Sequence, residues 1–283
     1  MKYCLSVLPE IDGMLGGTGR ILIASDFDGT LCPIADTPEE VHLAPATLEI
    51  LRHAAVCRRL TFAVISGRSL ADIRRRLPLN LVFAGNHGLE IAGDGIEYEH
   101  AGARRLRPSV SEACQILAET VRQWPGAWIE DKDLSATLHF RQVDQRHHNS
   151  ILLAARRSLA VVGSSLALRA GKRALEIRPK VHWDKGHALL YIQEKAGPFD
   201  ACLCLGDDRT DESMFRANHA QLSIRVGLST SGSAASHHVL NPAEVAILLS
   251  HIVDFCGSEA RSPWTPDHLV SSRSAAMGGL ADY

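Results

Sequence analysis

The sequence predicts an α/β fold, a parallel sheet flanked by helices with a smaller α+β unit inserted into it. Three observations carry this. Short apolar runs alternate with amphipathic stretches, two of those runs end in clusters of aspartates, and the middle of the chain changes to helices followed by paired short strands. With 283 residues, 46% hydrophobic and 22% charged, the chain can bury a full core, and at roughly 150 residues per domain it has room for about two domains.

Continuous apolar runs at 20–25, 60–65, 81–84, 201–205 and 222–226 read as buried strands. Helices are expected at 44–56, 70–76, 209–216 and 242–255; the last has Pro242 near its start and Val245, Leu248, Leu249 and Ile252 on one face of a 3.6-residue period. Between them the order is helix 108–123, strands 127–130 and 136–140, helix 145–160, then strands 165–169 and 174–178. Done twice, that pattern makes a small antiparallel sheet with helices on one face. The domain division expected is therefore 1–103 with 183–257 as one unit, 104–182 as the insert, and 258–283, rich in Ser, Pro and Gly, as a disordered tail.

Thirty Lys and Arg against 32 Asp and Glu give a net charge of −2, which supplies no field for a nucleic acid or an anionic membrane. No run reaches the ~18 to 20 apolar residues of a spanning helix, since Arg156 and Arg157 interrupt 151–168. Glu10 and Asp12 break any signal-peptide pattern. Seven Cys have no metal-type pairing, and Cys202 and Cys204 point the same way on a strand, as core thiols. A cytoplasmic protein without nucleic acid or membrane partners is expected.

The strongest chemical signal is Asp26, Phe27, Asp28, Gly29 and Thr30 after the run Ile21 to Ala24. Two carboxylates at the end of a buried parallel strand sit where α/β proteins bind ligands, and their mutual repulsion calls for a cation or a shared proton. Gly206, Asp207, Asp208, Arg209, Thr210, Asp211 and Glu212 follow a second such run. Together the two clusters make an all-oxygen set suited to Mg²⁺. Ser66, Gly67 and Arg68 after a third strand offer a hydroxyl, amides and a guanidinium fork to a phosphate. Lys185 opens a helix expected at 186–193 and supplies an ammonium that can neutralise a phosphoryl group.

In this order DFDGTL, SGR, Lys185 and GDDRTDE resemble the four motifs of the haloacid dehalogenase superfamily of phosphatases. Within it the chain is similar to trehalose-6-phosphate phosphatases, through Gly85 to Glu90, through Glu130, Lys132, Ser135, His139, Phe140 and Arg141, through Leu175 to Pro179, and through Lys185 with Gly186. The likeness spans about residues 18–255. It implies a Rossmann-like core with an inserted lid, and hydrolysis of trehalose 6-phosphate through an aspartyl phosphate. Asp26 would be the nucleophile and Asp28 the general acid and then base. Mg²⁺ would be held by Asp26, the Asp28 carbonyl and Asp207, assisted by Asp208 or Asp211. Ser66 and Lys185 would hold the phosphoryl oxygens, with Gly67 and Arg68 beside them.

The lid residues Glu130, Lys132 and Glu176 would bond sugar hydroxyls, as sugar recognition needs directional polar partners. Arg141 and Arg178 either face the cleft or brace it. Asn86 would bind the substrate, and His87 lies in a loop that either lines the sugar site or supports it. His139, on an alternating strand, is taken as packing. Cys32 replaces the Ser or Thr usual after DGTL, which puts any contact from that position in doubt. The resemblance also implies a sugar phosphate as the small-molecule partner, trehalose-phosphate synthase as a pathway partner, and a monomer. Two alternatives stand beside this reading: a phosphatase for sucrose phosphate or mannosyl phosphoglycerate, and a phospho-Asp receiver module. A receiver would be about half this length and would lack Asp28.

Overall fold

The computed structural model describes residues 1–16, 19–171, 174–217, 222–228 and 232–259; the expected tail lies outside them from residue 260 onward. In chain order the elements are β1 (Lys2–Tyr3), α1 (Leu8–Leu15), β2 (Ile21–Ser25), α2 (Pro45–Val56), β3 (Leu60–Ile65), α3 (Leu70–Arg76), β4 (Val82–Gly85), β5 (Glu90–Gly93) and β6 (Ile96–Glu99). Next come α4 (Ala101–Arg105), α5 (Arg107–Val121), β7 (Trp128–Asp131), β8 (Ala136–His139), α6 (His148–Val162), β9 (Leu166–Ala170) and β10 (Ala174–Pro179). The chain then returns through α7 (Lys185–Ala196), β11 (Ala201–Gly206), α8 (Glu212–Ala217), β12 (Leu222–Val226), β13 (His237–Val239) and α9 (Pro242–Glu259).

Nine strands form one sheet in the order β1-β13-β12-β11-β2-β3-β4-β5-β6. Every neighbouring pair from β1 to β4 is parallel, and only the β5–β6 edge is antiparallel. Strands β2 and β11 are buried along their whole length, which explains their unbroken apolar runs. One face packs Leu51 of α2, Ile11 and Leu15 of α1, and Leu248 and Ile252 of α9 against Ile23 and Leu203. The other face packs Leu189 and Ile192 of α7 and Phe215 of α8 against Leu22 and Cys202. The chain order reverses about β2, whose neighbours are β3 and β11, so their carboxyl ends open a crevice at the centre of the sheet.

The inserted residues form a second, four-stranded antiparallel sheet in the order β7-β8-β10-β9. Its strands alternate. Ile129, Leu138, Leu175 and Ile177 face α5 and α6 and pack with Val110, Leu117 and Ile151. The opposite set, Trp128, Glu130, Thr137, His139 and Glu176, faces away from those helices. At the return crossover the Trp183 indole stacks on Tyr98, with ring centroids 5.2 Å apart, and its Nε1 donates to the Gly88 carbonyl at 2.7 Å.

Several elements differ from expectation. The helix expected at 209–216 begins only at Glu212, because Asp208 and Asp211 hold 207–211 as a turn. Lys185 starts α7, which continues to Ala196, and α6 follows a single 3₁₀ turn at Gln145–His147. The β5–β6 hairpin was not expected; Asp94 and Gly95 supply its two left-handed turn residues, with φ of 51° and 76°. Nor were β1 and α1, where Asp12 pins α1 to His251 at 2.7 Å. Helix α9 runs to Glu259, into the first two residues of the expected tail. No helix among the described residues is long and apolar enough to cross a membrane.

Candidate active site

Two loops leave the central strands side by side. After β2 the chain turns tightly: the amides of Leu31 and Cys32 donate to the Phe27 carbonyl at 3.0 and 3.3 Å, and the Cys32 thiol reaches the same oxygen at 3.3 Å. The weak thiol donor therefore does make a contact. Gly29 has φ +86°, and a Cβ there would lie 2.5 Å from the Asp207 carboxylate, so this glycine lets the two acidic loops meet. Asp26 N donates to the Leu205 carbonyl at 2.9 Å, fixing the first aspartate to β11.

Asp26, Asp207 and Asp211 each offer an oxygen within 4.8 Å of the others. Lys185 Nζ donates to Asp26 Oδ1 at 2.6 Å and to Asp211 Oδ1 at 2.7 Å, all three groups being buried. Asp184 caps α7 through His187 N at 3.0 Å, which places Lys185 in the first turn. Gly186 lets α7 close on α8, since a Cβ there would lie 2.5 Å from the Ser213 carbonyl. Burial pushes the Asp26 carboxyl well up; Lys185 opposes this and the neighbouring aspartates add to it. Burial works against the Lys185 ammonium, but Asp211 and Asp26 outweigh it and raise its pKa. One ammonium against three clustered carboxylates leaves net negative charge, and the all-oxygen donor set fits a hard divalent cation.

Asp208 is turned elsewhere: its Oδ1 accepts from Thr210 N at 2.7 Å and Thr210 Oγ1 at 2.6 Å, while Asp211 Oδ2 accepts from Asp208 N at 2.9 Å. Asp211, and not Asp208, thus joins the cluster. Ser66 is 1% exposed at the end of β3, and its Oγ accepts from Arg68 N at 3.2 Å. The guanidinium fork of Arg68, expected on a phosphate, is instead clamped onto Asp28, with Nε and Nη2 each at 2.7 Å from a carboxylate oxygen. Its Nη1 donates to Asp72 at 2.7 Å and its Nη2 also reaches the Pro38 carbonyl at 3.2 Å. Asp72, drawn down to about 2, also receives Arg75 and Arg76, its burial being outweighed by these guanidinium bonds.

Above these loops lies a cavity of about 280 Å³. Its walls come from both sheets. Every residue expected in the site borders it except Asn86, Arg178 and Asp211. Asp211 lies beneath the floor. Asn86 is 1% exposed and its amide donates to Glu90 and to the Lys132 carbonyl at 2.7 and 3.0 Å, while its oxygen accepts from Ser135. It ties the two units together rather than facing the cavity. Arg178 bonds His87 and Glu176 from behind. His87 both lines the cavity and supports the loop, because its ring covers Gly67, where a Cβ would meet it at 2.6 Å. An arginine only donates, so His87 Nε2 accepts and the ring is neutral; burial and Arg178 push it down to about 4.

On the roof, Lys132 Nζ donates to the Gly67 carbonyl at 3.1 Å and Arg141 Nη1 to the Ala35 carbonyl at 3.0 Å, joining the inserted sheet to the loops below. Arg141 therefore borders the cavity and braces it. His139, expected only to pack, borders the cavity and bonds Glu130 Oε2 at 2.8 Å. Burial opposes ionisation of Glu130, but His139 and Lys132 outweigh it and lower its pKa. Trp128 and Thr137 also line the roof. The strand register, Trp128 with His139 and Glu130 with Thr137, is the signal that would have found them.

A parallel sheet with paired acidic loops at its central strand ends and an α+β insertion over them defines the haloacid dehalogenase type of fold. A family model described as trehalose-phosphatase matches residues 24–245. Probable trehalose-phosphate phosphatase 4 of Oryza sativa subsp. japonica is 32% identical over 265 residues, 89% of this chain and 70% of that protein. An uncharacterized glycosyl hydrolase of Mycobacterium tuberculosis is 36% identical over 221 residues, 75% of this chain, which spans only 16% of that much longer protein. Among solved structures, a trehalose-6-phosphate phosphatase related protein aligns with a TM-score of 0.75 at 26% identity, covering 84% of this chain and 99% of its own. The chain belongs to the trehalose-phosphatase family.

Proposed function

We propose that the protein hydrolyses trehalose 6-phosphate to trehalose and phosphate through an aspartyl phosphate on Asp26. The observation that supports this most is the placement of the buried Lys185–Asp26–Asp211 set under a roof bearing Glu130, Lys132 and Glu176. A phosphoryl group has charge to be neutralised at the floor, and a sugar has polar partners above it.

Asp26 attacks phosphorus while Lys185 and Ser66 orient the phosphoryl oxygens, and the sugar oxygen departs with a proton from Asp28. Asp28 then takes a proton from the water that opens the aspartyl phosphate. Arg68 fixes the plane of the Asp28 carboxyl with one bond to each oxygen, and the remaining lone pairs are left to carry the proton. Asp26, Asp207, Asp211 and the Asp28 carbonyl would hold Mg²⁺, which when bound adds charge neutralisation on the phosphoryl oxygens. In this reading residues 1–103 and 183–257 are the catalytic core and 104–182 the cap that excludes bulk water. The enzyme would act as a cytoplasmic monomer, downstream of a trehalose-phosphate synthase.

The test is phosphate release from trehalose 6-phosphate, glucose 6-phosphate, sucrose phosphate and mannosyl phosphoglycerate, with Mg²⁺ and after chelation. Trehalose 6-phosphate should be preferred and chelation should stop turnover. A comparable rate on glucose 6-phosphate defeats the substrate assignment, and no release from any ester defeats the phosphatase.

A further inference from the structure

The polar roof has an aromatic end that the phosphatase chemistry does not use. Trp128 and His139 face each other across β7 and β8, with ring centroids 4.3 Å apart and planes at 16°. Both border the cavity. His139 covers one face of the indole and is itself anchored by Nε2 on Glu130 at 2.8 Å, so the Trp128 ring is held in a fixed plane. Gly126, two residues before Trp128, borders the cavity and has no side chain, and Ala174, which borders it too, is paired with His139 on the side away from Trp128.

Distance along the strand sets what that ring can touch. Lys132 reaches down to the Gly67 carbonyl beside the phosphoryl loop, so it marks the end of the roof nearest Asp26. Glu130 is two residues further along the same face and Trp128 four. At ~3.3 Å per residue the Trp128 backbone lies ~13 Å from that of Lys132, which puts the indole at the end of the roof away from Asp26. The C–H face of a pyranose is apolar, and its polarised hydrogens suit the negative face of an indole.

We propose that Trp128, backed by His139, is the platform for the sugar ring distal to the phosphate, and so a specificity residue that separates disaccharide phosphates from monosaccharide and small aryl phosphates. This rests on the trehalose 6-phosphate reading. Glu130 bonds hydroxyls at the ring's edge while Trp128 covers its apolar face.

The experiment compares wild type, Trp128→Ala and Trp128→Phe on trehalose 6-phosphate, glucose 6-phosphate and p-nitrophenyl phosphate. For Trp128→Ala the KM for trehalose 6-phosphate should rise by about tenfold more than that for the other two esters, about 1.4 kcal/mol of differential binding. Trp128→Phe should restore most of it. Titrating wild type with unphosphorylated trehalose should change tryptophan fluorescence, and Trp128→Phe should remove that change while still binding the sugar. Equal losses on all three esters, or an unaltered KM for trehalose 6-phosphate in Trp128→Ala, would overturn the platform while leaving the substrate assignment intact. No hydrolysis of trehalose 6-phosphate by wild type would overturn both.

Discussion

The floor and the roof of the cavity are built on opposite principles. At the floor, Asp26, Lys185 and Asp211 are buried, mutually bonded and presented by neighbouring parallel strands and the first turn of a helix. At the roof, Glu130, Glu176, His139 and Trp128 stand on one face of a small antiparallel sheet and keep partial access to the cavity. A floor of this kind suits any phosphate monoester, whereas the roof suits one kind of leaving group. The proposed reaction thus divides reactivity and selectivity between the two sheets, and substitutions should separate them.

The largest effect belongs to the floor. Asp26→Asn should lower the rate of phosphate release by more than about 10³-fold on every ester, with Asp28→Asn close behind at about 10²- to 10⁴-fold. Equal fold losses on all esters are expected, and a loss confined to the disaccharide would break the division. Gly29→Ala should act on the same floor from the backbone: a Cβ driven onto Asp207 should weaken divalent-ion binding by at least about tenfold, read by calorimetry.

Glu176→Ala sharpens the contrast, since KM for trehalose 6-phosphate should rise by about tenfold or more while a small aryl phosphate is affected far less. Arg68→Lys should cost about tenfold in kcat on all esters, because an ammonium cannot reproduce the two-point clamp on Asp28. The smallest effect at neutral pH comes from His87. Its folded value of about 4 lies below the ordinary 6.5, so the unfolded chain takes up a proton first as pH falls. Stability should be undiminished above 6.5 and decline through the window down to 4, by roughly 3 kcal/mol at most. Thermal melts against pH should show this slope, flattened in His87→Asn.

The parallel core was legible because a strand buried on both faces reads as an unbroken apolar run, as at Ile21–Ser25 and Ala201–Gly206. The acidic loops were legible because strand ends and aspartates coincide. Less visible were the partners. Arg68 looks like a phosphate ligand in sequence, and only folding brings Asp28 and Asp72 to it. Asn86 sits among site residues yet points into the seam between the units. His139 looks like a packing residue in sequence because alternation along one strand does not reveal what stands opposite, whereas pairing with Trp128 does. The β5–β6 hairpin has its own signal in Asp94 and Gly95, a weak one because the run before it is so short.

Trp183 anchors the returning chain to Gly88 and Tyr98, and Lys185 follows two residues later. The crossover between the two sheets is therefore almost continuous in sequence with the ammonium bonded to Asp26. The contacts that seat the inserted sheet and the charge that holds Asp26 thus share one short stretch of chain, residues 183–185.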